Sequence, residues 1–185
     1  MLESTTLKWI AYYCISSFIL EFTGDILGFL KINNVAVFYL FIWNSTFCLI
    51  GFFIKQSIQI RKILTYKFAI FLLILFTFVF IQFEGIKKFH PFSAILEGII
   101  IFLCSLMYYG DELNEPKADK ILNKPEFWIV SGLFIYYGAT WIILLAAHYF
   151  VKSPITFMYI WEGQNVLNIL KNIAIAIGLY KYRWN

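Results

Sequence analysis

Eight residues of this chain stand in stretches otherwise too apolar for water: Glu21, Asp25, Glu97, Glu162, Asn165, Asn168, Lys171 and Asn172. Charged side chains at hydrocarbon depth are expensive, and they mark ion, proton or ligand sites, or pair with one another. Asparagine amides both donate and accept, so they serve equally as glue between helices or as the lining of a polar pocket. Catalysis is harder to build from this set. No Ser-His-Asp or Cys-His group falls at one depth, and no His and carboxylate share the spacing of a metal site. A Schiff base on Lys171 of the retinal kind needs one helix more than the sequence supplies. No metal and no cofactor is expected.

The elements that hold these residues follow from composition. Hydrophobic residues make up 61% of the 185 positions, aromatics 21% and charged residues only 14%. Soluble domains sit nearer half apolar and a quarter charged, so this chain reads as an integral membrane protein. A spanning helix needs about 20 apolar residues, and six fit: 8–30, 35–54, 64–83, 92–109, 127–150 and 156–180. That leaves no room for a soluble catalytic, nucleotide-binding or DNA-binding domain, and no nucleic-acid partner is expected. Runs of this length, such as that from Phe68 to Ile81, lack the alternation of barrel strands and read as helices. The expected fold is one all-α bundle over 1–185.

Orientation comes from the lysines and arginines. With the N-terminus inside, Lys8, Lys55, Arg61, Lys62, Lys67, Lys117, Lys120, Lys124, Lys181 and Arg183 collect on the inner side, ten in all. Lys31, Lys87, Lys88 and Lys152 make four outside. This bias predicts both termini in the cytoplasm of a multi-pass protein of the inner (plasma) membrane. The opening apolar stretch carries Glu21 and Asp25 and has no small-residue cleavage pattern, so it reads as a span rather than a cleavable signal. Cys14, Cys48 and Cys104 fall inside spans, where thiols act as small apolar fillers. Trp9, Tyr12, Trp128 and Tyr180 crowd span ends as an interfacial belt does.

The spans are not equivalent. The third carries a single polar side chain, Thr77, and can face lipid all round. In the first, Ser17, Glu21 and Asp25 recur every four residues and so share a helix face. In the sixth, Gln164, Asn165, Asn168, Lys171 and Asn172 fall within an arc of about 120° at roughly 100° per residue. Glu21 lies about 20 Å from the inner end of the first span and Lys171 about 14 Å from that of the sixth, at about 1.5 Å per residue. The difference is within reach of the two side chains, which predicts that they pair and that the first and sixth spans pack together. Asp25, Glu97 and Glu162 fall nearer the outer surface, and the whole suggests a pocket acidic outside and amide-lined below.

The stretches Lys124-Pro-Glu-Phe-Trp-Ile-Val-Ser-Gly-Leu-Phe-Ile-Tyr-Tyr-Gly138 and Asn165-Val-Leu-Asn-Ile-Leu-Lys-Asn-Ile-Ala-Ile-Ala-Ile-Gly178, with Asn33-Asn34 and Glu21, give the chain a family likeness. It resembles uncharacterised small multi-span membrane proteins of Bacteroidota, often encoded beside sensor histidine kinases. The resemblance implies a sensory or accessory role and assigns no activity to any residue.

The sequence therefore points to a non-enzymatic membrane module that senses or binds a small ligand or ion in a polar intramembrane pocket. Glu21, Asp25, Asn168 and Lys171 form the core of that pocket, and the polar 111–126 loop offers the contact to a signalling partner. Two alternatives stand beside it: a small transporter or channel subunit completed by homo-oligomerisation, and a membrane-embedded lipid-modifying enzyme using two of the carboxylates. The apolar inner end of the sixth span favours a pocket open to one side over a pathway.

Overall fold

A segment whose side chains cannot hydrogen-bond its own backbone must satisfy its peptide groups internally, and here that produces helices throughout. The computed structural model describes residues 3–63, 71, 75, 78, 92–114, 121–150 and 154–182, and every regular element among them is helical. The helices are α1 (Glu3–Phe29), α2 (Val35–Gln56), α3 (Ile58–Ile63), α4 (Phe92–Asn114), α5 (Pro125–Phe150) and α6 (Pro154–Tyr182). Among the described residues, four stretches are long and apolar enough to cross a membrane: Leu7–Phe29, Val35–Gln56, Phe92–Asn114 and Pro125–Leu145. Helix α6 has the length, at 29 residues, but carries the polar stripe and is not among the four. The third span expected at 64–83 and the joint at 84–91 lie outside the described residues, except for helical Phe71, Leu75 and Phe78.

The chain divides into two units, Met1–Ser93 and Ala94–Asn185. In the first, α1 and α2 form an antiparallel helical hairpin. Its turn is set by Lys31, whose φ of 57° is left-handed. Ile32 N–H reaches Leu27 O at 2.8 Å and Lys31 N–H reaches Gly28 O at 3.0 Å, which is a Schellman ending that satisfies the last carbonyls of α1. Asn34 Nδ2 then donates back to Gly24 O at 3.0 Å. Further along the hairpin, Asn44 Nδ2 donates to Ser16 Oγ at 2.6 Å. At its open end the Trp9 ring lies flush on Gly51, where any Cβ would come within 2.7 Å of the indole. Phe18, Phe22 and Phe29 of α1 remain exposed, as lipid-facing residues are.

Helix α2 stops at Ser57, an extended residue. Its hydroxyl accepts the Ile60 N–H at 3.1 Å and so caps α3. Arg61 closes the break from the other side, donating to Ile54 O at 3.2 Å and to Lys55 O at 2.9 Å.

In the second unit α5 and α6 each open on a proline, where the missing N–H costs nothing. They run antiparallel, and glycines set how closely they approach. A Cβ on Gly132 would meet Ala174 Cβ at 2.7 Å and Lys171 O at 3.0 Å, and one on Gly178 would meet Ile129 Cγ1 at 2.5 Å. Helix α4 reaches α5 through Gly98, which lies against Trp141, and through Phe102, stacked on Phe134 at 4.9 Å between centroids. The apolar run of α4 ends at Tyr109, yet the helix continues to Asn114. Asp111 and Glu112 therefore stand on a helix end, and 115–120 of the expected 111–126 loop lie outside the described residues. The three cysteines are free thiols.

Candidate functional site

Among the described residues of the second unit, one carboxyl and one amine side chain are buried. Glu97 on α4 is 3% exposed and Lys171 on α6 is 2% exposed. The helix between them supplies a tyrosine to each. Tyr137 Oη donates to Glu97 Oε1 at 3.2 Å. Lys171 Nζ stands 4.3 Å from the centre of the Tyr136 ring. The two rings meet edge to face, 5.0 Å apart and at 85°. A carboxylate, two phenols and an ammonium thus occupy adjoining positions across three helices.

Their depth follows from counting. Tyr136 stands eleven residues after Pro125 and fourteen before Phe150, the ends of α5. At about 1.5 Å per residue it is roughly 17 Å from the first and 21 Å from the second, well inside the helix. Local sequence puts the groups there. Gly98, next to Glu97, lets α5 come close enough for the Tyr137 phenol to reach the carboxylate, and Gly132 does the same for α6 below Lys171.

The face of α6 that meets α5 carries more than the lysine. Gln164, Asn168 and Lys171 are spaced by four and three residues and share one stripe. Gln164 Oε1 and Asn168 Oδ1 are buried without a hydrogen-bond partner. On α5, Thr140 Oγ1 and Trp141 Nε1 are in the same condition, one turn beyond the tyrosine pair. An unmet buried donor or acceptor costs about 1–3 kcal/mol, and with the Tyr108 hydroxyl the described residues of this unit carry five such atoms. The side chains of α5 and α6 thus include two amide oxygens, a hydroxyl and an indole N–H without partners, in the same unit as a buried carboxyl and a buried amine. Among the described residues no three His, Cys, Asp or Glu side chains gather as a metal site would require.

The other residues singled out in the sequence are placed differently. Glu162, Asn165 and Asn172 are exposed, on a face of α6 beside the buried stripe. Glu21 and Asp25 are exposed on α1 in the first unit, one and two turns beyond buried Ser17. Glu21 and Lys171 belong to different units. Sequence reasoning missed Tyr136, Tyr137, Thr140 and Trp141. Their signal was a pair of phenols followed one turn later by a hydroxyl at the centre of a span, and it was hidden by the abundance of aromatics around it.

At the connector end of the unit the polar groups are tied together. Lys124 forms an ion pair with Glu112, and Tyr182 Oη donates to Glu126. Trp128 Nε1 donates to Leu122 O at 2.9 Å and so anchors the short 3-10 turn Ile121–Asn123. Tyr109 and Ser131 hydroxyls share a hydrogen bond of 2.8 Å. No family model matches the chain, and neither a curated protein nor a solved structure shows significant similarity to it.

Proposed function

We propose that this chain is a non-enzymatic module of the inner (plasma) membrane that binds a small ligand or ion in a polar pocket between α4, α5 and α6, and signals its occupancy to a partner protein. In this reading the chain crosses the bilayer six times with both ends in the cytoplasm, as the inner excess of lysine and arginine favours. Glu97, Asn168 and Lys171 are the core of the pocket, with Gln164 and Thr140 completing its wall. The observation that carries the reading is the stripe Gln164–Asn168–Lys171, which sets two buried, unpartnered amide oxygens in line with a buried ammonium.

The connector over 111–126 is the output surface. Its two ends are pinned by Glu112–Lys124 and Glu126–Tyr182, so a shift of α4 or α6 moves it directly. The resemblance to small membrane proteins encoded beside sensor kinases supports a kinase-like partner. Transport ranks second because the buried polar stripe of α6 does not continue past Lys171. There Ala174 and Gly178 pack closely on Gly132 and Ile129.

The sign of one stability change tests the reading. Asn168→Leu removes a buried acceptor held for a ligand, so the ligand-free variant should unfold at a higher temperature than the wild type, by about 1 kcal/mol or more. A lower unfolding temperature would mean that Asn168 is helix–helix glue, and the pocket reading would fall.

A further inference from the structure

The packing of α5 on α6 fixes which of their residues stand level. Gly132 lies against Lys171 and Ala174, and Tyr136 against Lys171. The helices run antiparallel, so Thr140, one turn beyond Tyr136 on the same face, stands opposite the stretch from Gln164 to Asn168. Three oxygen atoms fall at that level: Thr140 Oγ1, Gln164 Oε1 and Asn168 Oδ1, each buried without a hydrogen-bond partner. Thr140 itself is only 5% exposed. Lys171 follows Asn168 by one turn, its amine over the Tyr136 ring. Trp141 lies against Gly98 and so belongs to the α4 side. Amide oxygens only accept hydrogen bonds, and a threonine hydroxyl accepts as well as donates.

The order of these groups selects a ligand chemistry. Three acceptors at one level match a donor with three hydrogens on one atom, which is a primary ammonium. Glu97, held by Tyr137 on the α4 side, already balances Lys171 in the charge of this unit. A bare cation would therefore bring an uncompensated charge into a buried place, next to a like charge. An anion alone would leave the three oxygens unmet. A small zwitterion satisfies both ends at no net charge. An α-amino acid carries its ammonium and its carboxylate on one carbon, and Asn168 and Lys171 leave α6 one turn, about 5 Å, apart. We propose that the ligand of the pocket is a primary-amine zwitterion, held by its ammonium at Thr140, Gln164 and Asn168 and by its anionic group at Lys171. This assignment rests on the pocket reading above. The chemistry has two sources, a free amino acid and the head group of phosphatidylethanolamine.

Trimethylated analogues isolate the role of the N–H groups, since they keep both charges and lose every donor. The full-length chain in detergent micelles is unfolded thermally against glycine and against N,N,N-trimethylglycine, from micromolar to millimolar concentration. In parallel, phosphatidylethanolamine or phosphatidylcholine is added to the micelles. Glycine should raise the unfolding temperature saturably, by about 3 °C or more at excess, and trimethylglycine should not. A rise with phosphatidylethanolamine alone would support the proposal with the lipid head group as the source. Thr140→Val keeps the shape and removes the hydroxyl, and it should weaken binding of the effective amine by about tenfold or more, the worth of one hydrogen bond to a charged group. Neither primary amine exceeding its trimethyl partner, or full affinity in Thr140→Val, overturns the proposal. If Asn168→Leu then still raises the unfolding temperature of the ligand-free chain, the ligand class alone falls; if it lowers it, the pocket falls as well.

Discussion

The ammonium of Lys171 stands over the ring of Tyr136, 4.3 Å from its centre, with both residues near the middle of their helices. A desolvated cation held over an aromatic face gains about 2 kcal/mol or more. Here that contact gives a lysine that is 2% exposed a partner for its buried amine. One position along α5, Tyr137 does the corresponding work for Glu97 through a hydrogen bond.

If the ring is what holds the ammonium, Tyr136→Leu should destabilise the chain by about 2 kcal/mol more than Tyr136→Phe, which keeps the aromatic face. Repeated in a Lys171→Met background, the gap between Leu and Phe should shrink to little beyond ordinary packing. Unfolding in mixed detergent micelles measures all four variants, and an unchanged gap would remove the cation from the account.

Tyr137→Phe leaves the buried Glu97 carboxylate without its phenol. A hydrogen bond to a charged group is worth about 1.5–3 kcal/mol, and the loss should fall in that range. Adding Glu97→Gln should recover part of it, because a neutral amide suffers less from the missing donor. A double variant no more stable than Tyr137→Phe alone would show that the phenol serves packing only.

Glycine positions separate close approach from open space. A Cβ at Gly178 would lie 2.5 Å from Ile129 Cγ1 and 2.8 Å from the Pro125 carbonyl oxygen, which is backbone and cannot swing aside. Gly178→Ala should cost about 1–3 kcal/mol through forced separation of α5 and α6. Gly163 has nothing within 4 Å, so Gly163→Ala should be neutral or should gain up to about 1 kcal/mol from helix propensity. Thermal unfolding of the two variants, compared directly, gives the contrast.

Topology is tested at the end of α4. A cysteine in place of Asn114, an exposed residue, should react with a membrane-impermeant maleimide only after the inner face is opened. Labelling of intact cells would reverse the orientation proposed for the connector.

Helix positions were readable in the sequence because hydrophobic run length is a direct ruler of span. The second run, 35–54, lies within Val35–Gln56. The break at Ser57 was not readable, since it rests on a hydroxyl cap and on an arginine reaching two carbonyls, neither of which alters hydropathy. The polar stripe of the last helix was legible from its spacing, but its division into buried and exposed faces was not. Counting residues gives the depth of a side chain and leaves open which neighbour it faces. Depth alone matched Lys171 with Glu21. Within its unit, glycine-sized gaps bring Lys171 to Tyr136, and Glu97 to Tyr137 one residue away. Those gaps depend on which glycine meets which side chain across helices.

Tyr136 and Tyr137 are consecutive, so their directions around the α5 axis differ by roughly 100°. One engages α6 and the other α4. Any twist of α5 about its own axis that draws Tyr136 deeper over Lys171 must swing Tyr137 relative to Glu97, and the reverse holds too. The pair therefore fixes the azimuth of α5 against both neighbours at once, since a rotation that improves one contact strains the other.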